Sequence, residues 1–153
     1  HTRLWGVTVE DLYKAARDNT RRLLPYMVKN MADVMVEIMK TEDAKGFNYE
    51  DCMAEPESNE LIYVLSNEKR IEGAVCMIYP RLLRDFADKI DSSFYIIPSS
   101  VHEVLLLPSE NFEDGMELKS MIKEINDTQI EVGEILSYSL YWFDKNKREI
   151  CIL

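Results

Sequence analysis

The run from 94 to 108, FYIIPSSVHEVLLLP, limits the possible folds of this chain more than any other stretch. Two apolar runs, FYII and VLLL, are bounded by turn-forming residues and read as strands. Between them lies a compact polar knot of Pro98, Ser99, Ser100, Val101, His102 and Glu103. Proline lacks the amide that a strand ladder needs, and serine hydroxyls bond to nearby backbone amides, so the knot predicts a corner joining two paired strands.

The flanking segments supply helices and further strands. Near the start, Thr8 suits an N-cap, with Asp11 three residues on as the other half of a capping box. Val9, Leu12, Tyr13, Ala16 and Leu23 then share one helical face, Arg17, Arg21 and Arg22 lie towards the C-terminal end, and Pro25 stops the helix. Those arginines read as a solvated, dipole-complementing helix end, with an anion site as the alternative. Asn30 is positioned to cap a second helix, in which Met31, Val34, Met35, Ile38 and Met39 repeat at i, i+3, i+4, i+7 and i+8. This methionine-rich stripe reads as core, with an adaptable partner face as the alternative.

Residues 41–60 lose all periodicity and concentrate acidic side chains, which predicts a solvated acidic loop; the acids lack the spacing of a calcium loop. LIYVLSN (61–67) reads as a strand, and IEGAVCMIY (71–79) as either its hairpin partner or a short buried helix. Pro80 is placed at the start of an amphipathic helix burying Leu82, Leu83, Phe86, Ala87 and Ile90. Another helix begins at about Asp114, with Leu118, Met121, Ile122 and Ile125 inward, and YSLYWF and EICIL form a closing hairpin around DKNK. The sum is a single α+β domain over 1–153, with a mostly antiparallel sheet of about five strands and about four helices packed against it. Opening on His1 instead of Met, the chain is expected to be the C-terminal part of a longer protein, a processed product or a tag remnant.

Charge and cysteines narrow the partners. Eighteen Lys plus Arg against 28 Asp plus Glu give a net charge of -10, which repels phosphate backbones and anionic headgroups and argues against nucleic acid and membrane. No apolar run approaches the roughly 20 residues that span a bilayer. Cys52, Cys76 and Cys151 are odd in number and widely spaced, so neither a disulfide framework nor a zinc knuckle is expected. Cys76 and Cys151 sit in apolar runs and read as small core residues, and a reducing cytoplasm fits best.

Only the corner carries groups suited to catalysis. Ser99, Ser100, His102 and Glu103 are the side-chain types of a hydrolase, in which a base takes the hydroxyl proton and a carboxylate orients the imidazole. Spacing argues against a local triad, because strand neighbours face opposite ways and no glycine-bearing elbow or oxyanion motif accompanies them. The structural alternative makes the serines turn-formers and satisfies His102 through a backbone carbonyl. No paired histidines, clustered aspartates or Gly-rich phosphate cradle occur, so no metal or cofactor is expected. Tyr138, Tyr141, Trp142 and Phe143 lack the basic setting of a base-stacking surface and read as core and sheet cover.

Three blocks, LWGVTVEDLYKAARDNTRRL, YVLSNEKRIEGAVCMIYPRLLRDFADKI and FYIIPSSVHEVLLLP with the following helix and hairpin, cover most of the chain. Through them it resembles the C-terminal half of an uncharacterised domain-of-unknown-function family of anaerobic gut bacteria. It is more distantly similar to the YtpQ-like uncharacterised family. Those relatives carry a Pro-Ser-Arg-Asp-like corner where this chain has Pro98-Ser99-Ser100 and then His102-Glu103. The resemblance implies kinship and no established activity. The expectation is therefore a non-enzymatic intracellular module that binds a protein partner or ligand, or self-associates, through a sheet face or the methionine-rich helix face. The rival is a small hydrolase or metal-dependent enzyme at the Pro98–Glu103 corner.

Overall fold

The computed structural model describes residues 1–39, 62–112, 115–128 and 130–153. The acidic stretch expected as a loop over 41–60, with Cys52, lies outside the described residues. Six strands, β1 (Tyr26–Asn30), β2 (Tyr63–Asn67), β3 (Phe94–Ile97), β4 (Val104–Pro108), β5 (Tyr141–Asp144) and β6 (Glu149–Ile152), make one sheet in the order β1-β2-β4-β3-β5-β6. Every neighbouring pair is antiparallel. The fold is α+β as expected, with six strands where about five were expected.

The strand that sequence reading missed is β1. It follows directly on Pro25 and pairs with β2 from Tyr26↔Asn67 to Asn30↔Tyr63. Its lysine and its partly exposed side chains suit a sheet edge, where alternation is weak and charge discourages further pairing. Asn30 ends this strand and turns the chain into the next helix, its Oδ1 accepting the Ala32 N–H at 2.8 Å.

Among the described residues the helices are α1 (Thr2–Trp5), α2 (Val9–Leu23), α3 (Met31–Met39), α4 (Leu82–Ile90) and α5 (Gly115–Thr128), with 3₁₀ turns at Gly73–Ile78 and Ser109–Asn111. This is more than the four expected, because the apolar lead-in forms the single turn α1, closed by Gly6 in the left-handed region (φ 64°). The ambiguous 71–79 piece adopts its helical alternative as the 3₁₀ segment. Pro80 precedes α4 without opening it; Arg81, itself left-handed at φ 70°, is the N-cap. No helix among the described residues is long and apolar enough to cross a membrane.

Helices cover both faces of the sheet, which explains why β3 and β4 are apolar almost throughout. On one face, Leu65, Phe94, Ile96, Val104, Leu106 and Phe143 pack against the 3₁₀ segment and α4. Phe94, fully buried, stands edge-on to Phe86 with ring centroids 5.0 Å apart and stacks on Phe143 at 5.1 Å. On the other face, Ile97 and Leu107 pack with Leu118 and Ile122 of α5. The α3 helix sits by β1 and β2, with Val34 buried and Met31 and Met35 half-buried, and Glu37 pairs with Lys29.

Two expectations of burial fail. Cys76 is buried, and desolvation pushes its thiol up, as suits an inert core residue. Cys151 is exposed, because β6 is the outer strand of the sheet and all four of its residues remain solvent-accessible. The α2 helix forms as expected, with both halves of the Thr8–Asp11 capping box made, yet it buries none of its apolar residues.

Candidate functional site

The Pro98–Glu103 corner joins β3 to β4 as anticipated, and those strands pair from Phe94↔Pro108 to Ile97↔Leu105. His102 precedes β4 and lies in a bend, so strand alternation does not govern its direction. The Ser100 Oγ accepts the backbone N–H of His102 at 3.1 Å, and the Ser100 N–H reaches the Glu103 carbonyl at 3.2 Å. Ser100 is therefore a turn-former, with its hydroxyl oxygen committed to the backbone. Among the described residues the Ser99 hydroxyl has no hydrogen-bond partner.

The imidazole is satisfied differently from the expected backbone carbonyl. Its Nδ1 accepts the Glu72 N–H at 3.0 Å, and its Nε2 faces Glu134 Oε1 at 3.3 Å. A ring nitrogen that accepts from an amide carries no proton, so the neutral ring holds its hydrogen on Nε2 and donates to Glu134. Neither nitrogen is turned to a serine hydroxyl. The corner thus brings Ser100, His102 and Glu103 side by side without assembling the hydroxyl–imidazole contact of a nucleophile and base. Among the described residues no three His, Cys, Asp or Glu side chains converge as metal ligands would.

What surrounds the corner is a brace of residues that sequence reading did not single out. Ser66, fully buried at the end of β2, donates to the His102 carbonyl at 2.8 Å. Buried Asn67 donates to the Ile71 carbonyl at 2.7 Å and accepts from Lys69 N at 3.0 Å, which shapes the turn into the 3₁₀ segment. In that turn Arg70 and Glu72 take left-handed backbone conformations (φ 54° and 49°), presenting the Glu72 amide to His102. Arg70 also reaches Glu37 at 2.8 Å, tying the turn to α3. Glycine inside the apolar IEGAVCMIY run was the one available signal of a close backbone approach. Glu134 gave none, lying 32 residues from its partner.

Glu103 is the electrostatic exception. Burial pushes its carboxyl up, against the opposing pull of the Arg70 guanidinium. A carboxyl raised in the folded state is protonated more readily there than in the unfolded chain, so its contribution is best at low pH and is lost as pH rises from the ordinary carboxylate range through the raised value. Glu103→Gln, which cannot ionise, is therefore expected to raise the thermal midpoint at neutral pH and to match the parent below about pH 4. Thermal melts at both pH values check this; a lower midpoint at neutral pH would contradict it.

A second feature lies between α2 and the 3₁₀ segment. There a hollow of about 270 Å³ opens between Tyr13, Ala16 and Thr20 on one wall and Val75, Ile78 and Tyr79 on the other. Arg21, Tyr79 and Pro80 also line an adjoining hollow of about 470 Å³, which continues past Arg81 to Asp85, so the two form one trough. Both walls expose apolar surface: Tyr13 is 61% and Ile78 63% accessible. The buried Tyr79 anchors the floor by donating its hydroxyl to the Leu24 carbonyl at 2.9 Å, and burial helps push its pKa up to about 12. Sequence periodicity located the apolar face of α2; in the structure that face stays exposed, and its Tyr13 and Ala16 contribute to the cleft wall.

Residues 1–145 match the model of a family of unknown function, DUF5688. No protein of curated function and no solved structure matches the chain.

Proposed function

We propose, on the premise that the chain belongs to the DUF5688 family of unknown function, that this domain is a non-enzymatic protein-interaction module of the bacterial cytoplasm. It holds an apolar segment of a partner protein in the cleft between α2 and Gly73–Pro80. One observation carries the reading. A well-capped amphipathic helix of 15 residues sets Tyr13 and Ala16 of its apolar face across a hollow from Val75 and Ile78, and leaves the rest of that face, Val9, Leu12 and Leu23, in solvent. Apolar surface on two facing walls stays exposed at a cost of about 25 cal/mol per Å², which an inserted side chain recovers. Helix-in-groove and related peptide modes use such a site.

The corner supports this reading from beneath. Its hydrogen bonds clamp the start of the 3₁₀ segment, which supplies the second wall. The catalytic alternative at Ser99, Ser100, His102 and Glu103 is not adopted, because both ring nitrogens of His102 are engaged elsewhere and neither is hydrogen-bonded to a serine hydroxyl.

A random dodecapeptide display selection against the domain tests the proposal. Peptides are expected to be enriched on the parent protein and lost on the Ala16→Arg/Ile78→Asp variant. Both substituted residues are exposed, so the thermal midpoint of that variant should stay within a few degrees. No enrichment, or enrichment indifferent to the variant, would overturn the cleft as the binding site.

A further inference from the structure

The charge distribution along the trough says what kind of segment it takes. The chain as a whole carries a net charge of -10, so an average patch of its surface repels acidic partners. The trough departs from that average, being lined by Arg17, Arg21 and Arg81. Asp18 and Asp85 also line it, and Arg17 approaches Asp18 at 3.9 Å. Arg21 and Arg81, by contrast, make no ion pair and no side-chain hydrogen bond among the described residues. Arg21 borders both hollows and therefore stands at the middle of the trough.

We infer that the docked segment is an acidic peptide: large apolar side chains enter between α2 and the 3₁₀ segment, and a neighbouring carboxylate meets Arg21. This rests on the reading of the cleft as a docking site and adds the chemistry of its occupant. The planar guanidinium can hold a carboxylate through two parallel N–H···O bonds, a geometry that fixes register as well as adding energy. Asp18 and Asp85 sharpen the selection, since they repel a uniformly acidic ligand and favour one whose carboxylate sits at the arginine. A basic peptide would leave Arg21 facing a like charge and is rejected.

The experiment sequences the selected dodecapeptides and titrates one fluorescent representative by polarisation. Selected peptides are expected to carry Asp or Glu beside aromatic or aliphatic residues. Arg21→Glu is expected to weaken the representative about fivefold to tenfold. A peptide with Lys in place of the acid should regain binding on that variant. Lys123→Glu on α5, an exposed cation away from the trough, should change nothing. Binders that need Ile78 but show no acidic preference and no response to Arg21→Glu would overturn the inference and leave the cleft standing. Binders that ignore Ile78 altogether would overturn both.

Discussion

Gly73→Ala is expected to destabilise the protein by about 3 kcal/mol or more, the upper range for forcing atoms into packed structure. A β-carbon on Gly73 would stand 2.1 Å from Ser66 Oγ, 2.6 Å from the Asn67 amide nitrogen and 2.6 Å from the His102 carbonyl oxygen. The first of these atoms belongs to a side chain, but the other two are backbone and cannot swing aside. The double variant Ser66→Gly/Gly73→Ala is therefore not expected to recover the loss: it removes the nearest clash and the Ser66–His102 hydrogen bond together, and leaves both backbone contacts in place. Urea unfolding of the three proteins reads this out. A Gly73→Ala change below about 1 kcal/mol would mean that the 3₁₀ segment does not lie against β2 as described.

Phe94→Ala should cost about 3–5 kcal/mol, the range for removing a fully buried aromatic ring. The ring is the middle member of a run from Phe86 of α4 through Phe94 of β3 to Phe143 of β5, so its loss opens a cavity where a helix and two strands meet. Phe94→Leu keeps most of the volume and should cost clearly less, separating a packing effect from a failure to form β3. Denaturant midpoints for both variants check the order. Equal losses for Leu and Ala would argue that the aromatic geometry, and not the volume, is what the core requires.

What could be read in advance depended on how local the cause was. The strand–corner–strand at 94–108 was legible because both apolar runs and the proline–serine punctuation lie within 15 consecutive residues. The Thr8–Asp11 box and the α4 face were legible for the same reason. β1 was not, since an edge strand that buries little has no strong alternation, and the proline before it and the asparagine at its end looked like punctuation between helices. The partners of the His102 ring were not legible for a different reason. The groups that satisfy the His102 ring, the Glu72 amide and the Glu134 carboxylate, lie 30 and 32 residues away and come together only through the fold. Periodicity likewise revealed an apolar face on α2 without saying that it stays in solvent, with Tyr13 and Ala16 at the edge of a cleft.

Amide chemical-shift mapping of the ¹⁵N-labelled domain with a selected acidic dodecapeptide would place the occupant. The cleft reading predicts that the largest shifts fall on Tyr13, Ala16 and Arg21 of α2 and on Val75 and Ile78 opposite. Shifts concentrated instead on Ser99 to Glu103, with the α2 amides unmoved, would contradict it and return the corner to the centre of function.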